Sequence, residues 1–335
     1  MSKFTLEVLQ QYVYPHFQVS DADVFLGSSF GEDVALTRMG GSLLASHMDP
    51  IVGAVNHIGW LAVHVACNDI ATCGAAPRWL QLLVLVPGKE DVVLMARIIS
   101  DAARAARETG ATIVGGHTGY SAALSRPLVA VTALAPLEGK EPVLTRGGKY
   151  GDRILVTKGI PLEGTAILAD DFAGTARRLG LTEEDLAEAK VLLSQVSVIP
   201  EALILAETGA SAMHDVTRGG LLETLLEMAA LSKVCFQVDF EKIHVPAVGV
   251  RFAEAFGFDP LRMISSGTLA AAVPPDKVKA ATAALDKAGI RHADIGWVEE
   301  GDGVLMHREG KVQHITGVQP DDDELARMWE EYGPD

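Results

Sequence analysis

Cysteine is scarce in this chain: Cys67, Cys73 and Cys235 are the three in 335 residues. An odd number at irregular spacing gives neither a disulfide framework nor a zinc knuckle. Three small, buried or half-buried thiols in a reducing compartment are the simpler reading. No run approaches the roughly 18 apolar residues of a membrane span. The opening stretch from Met1 to Val13 lacks the apolar h-region of a signal peptide, so a cytoplasmic location is expected. Basic residues are also in short supply, 28 against 44 acidic ones, for a net charge of −16. A surface so negative repels nucleic-acid phosphates and anionic lipid, which sets both aside as partners. It does not exclude an anionic substrate, because local cations and a metal reverse the sign inside one cleft.

What is present is apolar material, 48% of residues, in a length that suits about two domains. Helical spacing appears over 4–14, 57–73 and, most clearly, 90–108, where Val93, Ile98, Ala102 and Ala105 form a stripe that ends at Gly110. Strand-like runs fall at 42–47, 80–86, 112–114 and 128–134. Composition turns to Pro, Gly and charge over 136–152, and the domain boundary is expected there, giving 1–145 and 146–335. The second half reads as a strand at 153–157, helices from about 164 and over 182–194, a strand ending at Met213, and a helix opened by Gly219-Gly220. A strand at 268–273, a helix at 276–288 and a strand near 294–298 follow. Alternating strands and helices in both halves predict an α/β or α+β architecture in two domains.

Polar knots interrupt the apolar first half: Gly31-Glu32-Asp33, His47-Met48-Asp49, Asn68-Asp69 and Gly115-Gly116-His117-Thr118. Each is expected at the end of a strand or helix, where side chains converge on one rim. Magnesium takes hard oxygen ligands, usually one or two carboxylates plus phosphates, and Asp33, Asp49 and Asp69 could supply them. Any one aspartate alone reads more readily as an Asx turn or a cap. In the second half, Asp215-Val216-Thr217-Arg218-Gly219-Gly220 places a guanidinium beside the N–H groups of a helix start, which suits an anion. The plainer alternative is a turn in which Asp215 pairs with Arg218. Lys158, before Gly159 at a strand end, could meet phosphate or be a solvated lysine. Ser265 to Thr268 could bound a pocket or form only a turn.

In order, GEDVA at 31–35, MD at 48–49, LAVHVACNDIATCGAAP at 61–77, GGHT at 115–118 and MHDVTRGGL at 213–221 resemble one superfamily. It groups aminoimidazole ribonucleotide (AIR) synthase, thiamine-monophosphate kinase, selenophosphate synthetase and the hydrogenase maturation factor HypE. The resemblance implies a PurM-like fold of two domains, dimerisation through the first, and ATP bound with magnesium. It implies metal–phosphate roles for Asp33, Asp49 and Asp69, and a place near the nucleotide for Asn68. The Gly27 to Gly31 stretch becomes a segment closing over phosphates, where glycine lets backbone approach closely. Gly219, Gly220 and Lys158 join the cofactor set, and His117, Asp215 and Arg218 the catalytic set.

Departures from the family narrow the expectation. His117 stands where an acidic residue commonly follows Gly-Gly, although selenophosphate synthetase-like members also carry GGHT; a histidine there could bond phosphate or carry a proton. His57 and His64 read as packed or surface residues, and their spacing with His47 is no recognised zinc pattern. The glycine loop has Ser28 and Ser29 where selenophosphate synthetases carry a reactive cysteine or selenocysteine. No cysteine follows Cys235, so HypE's tail acceptor is not expected. The chain therefore reads as a HypE-like, ATP- and Mg-dependent homodimeric enzyme that phosphorylates an oxygen of a small-molecule, amide-like or protein-bound acceptor. The alternatives are a kinase of the thiamine-monophosphate type and a nucleotide-binding maturation factor acting through a protein partner.

Overall fold

The computed structural model describes residues 4, 6–17, 19–51, 56–317 and 323–333. The first half contains α1 (Leu6–Tyr12), β1 (Val24–Leu26), β2 (Ala35–Met39), β3 (Ser42–Ile51), α2 (Ile58–Thr72), β4 (Trp79–Val86), α3 (Val92–Thr109), β5 (Thr112–Tyr120) and β6 (Leu128–Pro136). Its strands form a six-stranded sheet in the order β1-β2-β3-β6-β4-β5. All neighbours run antiparallel except β4 and β5. In β4, Leu80, Leu82, Val84 and Val86 are buried, the period of two that a sheet with one covered face requires.

Helix α2 is buried at every residue from Ile58 to Thr72, as a helix apolar all round must be. It packs on β3 and β6, on α3, and on α7 and β8 of the second half. A Cβ on Gly59 would lie 2.2 Å from the Ile98 carbonyl oxygen, so glycine permits the close crossing of α2 and α3. Asn68 ties α2 to the second half: its Nδ2 donates to the Val196 carbonyl at 2.8 Å, and its Oδ1 accepts from the Val198 N–H at 2.9 Å.

After a short 3-10 turn at Thr145–Gly147 come β7 (Arg153–Thr157), α4 (Glu163–Asp171), α5 (Ala173–Arg178), α6 (Glu183–Val191), α7 (Ile199–Thr208), β8 (Ala212–Asp215), α8 (Gly220–Ser232), β9 (Cys235–Asp239) and α9 (Ala247–Phe256). Then follow β10 (Leu269–Val273), α10 (Val278–Lys287), β11 (His292–Glu299), β12 (Val304–Arg308), β13 (Lys311–Ile315) and α11 (Glu324–Glu331). The second sheet has seven strands in the order β13-β12-β9-β11-β7-β10-β8. Strand β10, Leu-Ala-Ala-Ala-Val, between β7 and β8, is buried throughout, its small side chains admitting helices against the sheet. The mixed α/β architecture with two sheets is the one the sequence predicts.

One motif sits differently from expectation. The GGHT segment is no strand-end turn; β5 continues through it to Tyr120, with His117 opposite Leu83 of β4. The register shifts between Leu80 and Gln81, which face Ile113 and Gly115, so Val114 is the extra residue; Gly116, two residues on, has φ 148°. A Cβ there would lie 1.9 Å from the Leu82 carbonyl oxygen, so the glycine serves close strand approach rather than a turn. Among the described residues no single helix is long and apolar enough to cross a membrane.

Candidate active site

The two halves meet over a buried cluster of charge. Asp33 precedes β2, Asp69 lies in the last turn of α2, and His214-Asp215 ends β8; these four side chains are buried. One His214 oxygen neighbour is Asp33 Oδ1, 3.1 Å from Nδ1; Asp215 Oδ1 is 3.8 Å from the same nitrogen. On its other side His214 Nε2 lies 3.1 Å from Glu227 Oε2 of α8. His47 of β3 repeats the arrangement, with Nδ1 hydrogen-bonded to the Asp33 backbone carbonyl and Nε2 3.3 Å from Asp69 Oδ2. Neither carboxylate oxygen of Asp215 has a hydrogen-bond partner among the described residues, nor has Asp33 Oδ2.

Such crowding is electrostatically costly. Burial pushes Asp33 up to about 8. Burial, then the charges of Asp215, Asp33 and Asp49, holds Asp69 well above the carboxylate range. Burial would push the His214 imidazole down, but Asp33, Asp215 and Glu227 together hold it well above the usual histidine value. Orphaned buried oxygens and raised carboxylates are what a site designed around a cation shows without one. Asp33 and Asp215 offer, within 4.8 Å of one another, the hard oxygen donors magnesium takes, and Asp69 is near enough to feel both charges. Asp49, on β3, belongs to the rim: it raises both Asp69 and Glu163 and lines the adjoining cavity.

That cavity runs from Asp49 and Ile51 to Glu163, Arg218, Ser266 and Trp329. Burial raises Glu163 to about 7. Arg218 is not paired with Asp215. Its Nε donates to Asp323 Oδ2 at 2.8 Å, and its Nη2 bonds the same oxygen. Asp323 also caps α11, accepting from the Ala326 N–H at 3.1 Å, so the guanidinium holds the C-terminal helix against the cavity. Gly219 and Gly220 do open α8. Gly220 has φ 68°, and a Cβ would lie 2.4 Å from the Leu261 carbonyl oxygen, so only glycine fits. The Glu223 carboxylate folds back to Gly219, 1.6 Å from where its Cβ would be, and already offers negative charge to the helix start that an anion would need.

Other predicted residues lie elsewhere. The Lys158 ammonium donates to the carbonyls of Gln195, Ser197 and Gly267 at 2.6 to 3.0 Å and sits 2.8 Å from Glu201, which commits it to holding the chain at a strand end. Asn68 is spent on the α2 contact described above. Gly27 packs against Val19 and Gly31 against Leu231; the loop between them is anchored by Ser29, whose hydroxyl accepts from Arg146 Nη2 at 3.0 Å, and Glu32 just after it pairs with the same guanidinium. His64 is packed, bonded to Glu108 at 3.0 Å. His117 is exposed on the edge strand. β6 and β4 separate it from β3, a displacement of roughly 14 Å at the usual strand spacing. Sequence reasoning missed Glu227, Glu163 and Asp323 as neighbours of the site; the signal for Glu227 is its position two turns into the helix that MHDVTRGG opens.

Residues 31–136 match the N-terminal domain of AIR synthase related proteins, and residues 149–308 match the C-terminal domain. The chain belongs to the AIR synthase-related family. That superfamily consists of ATP-dependent enzymes, and this chain is a member. The carbamoyl dehydratase HypE of Rhizobium leguminosarum bv. viciae is 28% identical over 242 residues, 71% of this chain and 66% of that protein. A selenide, water dikinase of Myxococcus xanthus is 27% identical over 310 residues, 82% and 85%. Among solved structures, HypE in a HypE–HypF complex superposes with TM-score 0.74 at 21% identity, covering 92% of this chain and 98% of that one. HypE in complex with ATP gives 0.70 at 24%, covering 93% and 94%. Both share the fold.

Proposed function

We propose that this chain binds ATP with magnesium between its two halves and transfers a phosphoryl group to an oxygen of an amide-like or other small-molecule acceptor, in the manner of HypE. The convergence of Asp33, Asp69 and Asp215, with unpartnered oxygens in a buried site, carries the reading. Bound magnesium would offset charge on the nucleotide phosphates. Asp33, Asp69 and Asp215 hold the cation, and Asp49 stands where the cluster opens into the cavity. That cavity, with Glu163 and Arg218 on its wall, is the acceptor's place. Glu163, with its carboxyl raised to about 7 by burial, is able to take a proton from an acceptor oxygen or nitrogen near neutrality. No nucleophilic protein side chain is required. The ATP complex of a HypE structure supports the nucleotide assignment.

The working unit in this reading is a homodimer. β5 leaves an unpaired edge, with Val114, Tyr120 and His117 exposed on it, and an open edge is a template for a second chain. His117 then serves the neighbouring copy's site rather than its own. Partnership with another protein is a further possibility of the same surface, since a HypE has been crystallised with HypF. The deciding experiment is incubation with ATP, magnesium and a metabolite pool, followed by mass spectrometry. A phosphorylated small molecule supports the kinase-type chemistry. ATP binding without turnover until a protein is added replaces it with the partner-dependent alternative.

A further inference from the structure

The cavity beside the cluster is walled mainly by hydrocarbon: Ile51 of β3, Val65 of α2, Ile167 of α4, Ile264, and Leu325 of α11. It holds about 100 Å³, space for a small molecule or one end of a larger one. Among the described residues that line it, Arg218 is the one cation, against two acids, Asp49 and Glu163. That cation is already neutralised. Its Nε and Nη2 both donate to Asp323 Oδ2, and the two side chains are only 20% and 10% exposed. Water and salt screen so sheltered a pair much less than a surface one. Asp323 is also held from behind, where its Oδ1 accepts from the Ala326 N–H and caps α11. The helix is itself pinned. The Asp259 N–H donates to Glu324 at 3.0 Å, Arg327 donates to the Gly257 carbonyl at 2.8 Å, and the Trp329 ring meets Phe172 edge-on with centroids 4.8 Å apart. Arg126 lies over the Trp329 ring, 4.6 Å from its centroid, and does not line the cavity.

We infer that Asp323 sets the charge of the acceptor: by neutralising Arg218 it makes the cavity take a small uncharged molecule, apolar at one end and amide-like at the other, and refuse carboxylates and phosphate esters. An anion entering here must either break the pair and displace a fixed helix, or sit uncompensated beside Asp49 and Glu163. A buried charge without a partner costs far more than a buried polar group with its hydrogen bonds. Two buried polar atoms of the lining call for an uncharged partner instead. Glu163 stands beside Ser266, and its Oε2 has no hydrogen-bond partner among the described residues; nor has Trp329 Nε1. An amide brings both an N–H and a carbonyl oxygen, whereas a carboxylate brings acceptors only. Arg218 keeps Nη1, which bonds nothing among the described residues, to donate to the carbonyl. The rival account makes Asp323 a placeholder that an anionic acceptor displaces from Arg218. The two accounts differ in which of two ligands of equal shape the protein prefers.

The inference rests on the reading of this cavity as the acceptor's place, and its test leaves nucleotide out, so that failure here and failure to bind ATP are separate results. The probes are isobutyramide and isobutyrate, alike in shape and different in charge at neutral pH. The full chain is labelled with 5-fluorotryptophan and titrated with each, and the fluorine-19 spectrum follows its four tryptophans. The Trp329 line is identified as the one missing from Trp329→Phe. Isobutyramide is expected to move that line with a dissociation constant of about 10 mM, ordinary for so small a fragment, and isobutyrate to bind about tenfold more weakly or worse. Asp323→Asn leaves Arg218 an unpaired cation. Asparagine caps a helix about as well as aspartate, so α11 is expected to stay in place. In this variant isobutyrate is expected to gain about tenfold or more, and isobutyramide to change by less than about threefold. The comparison of the two probes on the parent needs no variant beyond the one that assigns the line. Isobutyrate binding the parent as tightly as the amide or tighter, or neither probe moving the Trp329 line, overturns the proposal. An unchanged preference in Asp323→Asn overturns it as well, since the selection would then not come from Asp323.

Discussion

Two polar segments of the first half stand in opposite surroundings. Asn68-Asp69 closes a helix buried along its whole length, whereas Gly115-Gly116-His117 lies on a bare sheet edge. By sequence alone they look alike: a short polar break after an apolar run. In the structure the first is held among buried carboxylates of the same chain, so its chemistry is fixed within one chain. The second has its side chains in water, and any chemistry it does must be completed from outside. Burial therefore divides the site into an internal part and a part awaiting a second molecule.

The sharpest break of the internal part is Asp69→Asn. It removes a proposed cation ligand and also a buried, raised carboxylate. Magnesium-dependent ATP binding is expected to weaken at least tenfold, which is about 1.4 kcal/mol, and turnover to fall further. The metal-free protein is expected to gain stability, because a neutral isostere removes the cost of a charge crowded by others; a rise in melting temperature of about 2–4 °C corresponds to about 1 kcal/mol. Calorimetry and thermal melts check both. Unchanged affinity with and without magnesium sinks the assignment.

The pH response probes the same cluster. Asp33, at about 8, and Glu163, at about 7, are both raised above their ordinary values by burial. A group raised on folding contributes stability fully present below its unfolded pKa and lost as pH climbs through the folded one. His214, also raised, adds the same sign. The metal-free protein is expected to lose melting temperature steadily from about pH 5 to about pH 8, and a saturating divalent cation to flatten the slope. A metal-free profile flat across that window shows that these carboxyls are not raised.

Arg218, on the cavity wall, is tied to α11 through Asp323. Arg218→Lys keeps charge and loses the planar fork; normal folding, near-parental ATP binding and loss of most turnover are expected. Asp323→Asn separates the two jobs of this contact. It is expected to speed hydrogen exchange in α11 while leaving the guanidinium free for the acceptor, so turnover is kept. If instead Arg218→Lys lowers melting temperature and slow ATP hydrolysis is unchanged, Arg218 is scaffold.

What was legible beforehand follows from the physics of each signal. Helices 57–73 and 90–108 were readable because apolar periodicity fixes a helix locally, and they appear as α2 and α3 with ends shifted by one or two residues. The strand at 153–157 is β7. The short strands β1, β2, β9, β12 and β13 escaped notice, since a few residues of alternation are stabilised by sheet neighbours rather than by their own sequence. Aspartates in ordered motifs pointed to the cluster. Glu227 could have been found only by counting two turns into the helix that MHDVTRGG opens, and Asp323 not at all, because α11 reaches the cavity only through the whole fold. Lys158 shows the reverse: a strand-end lysine before glycine suggests phosphate, and three backbone carbonyls claim it.

The exposed part of the comparison gives the gentlest expected effect and the most specific test. His117→Ala removes a solvent-exposed side chain, so stability should change by no more than about 0.5 kcal/mol. Affinity for ATP should hardly move, and turnover should fall about tenfold if the ring bonds phosphate or carries a proton in the rate-limiting step. Full activity in the variant removes His117 from the site. A drop in turnover leaves open which copy the residue serves, and mixing settles it. The His117→Ala and Asp69→Asn chains, each impaired alone, are combined in equal amounts after exchange of subunits. In a mixed dimer, the Asp69 of the first chain is intact, and the His117 facing it belongs to the second. If the edge strand reaches the neighbour's cluster, that one site is whole, and random pairing restores roughly a quarter of the parental rate. If His117 serves its own chain, every site in the mixed dimer carries a lesion and no recovery occurs. Light scattering on the same samples, at micromolar concentration, must show dimers; a monomer overturns the dimer reading.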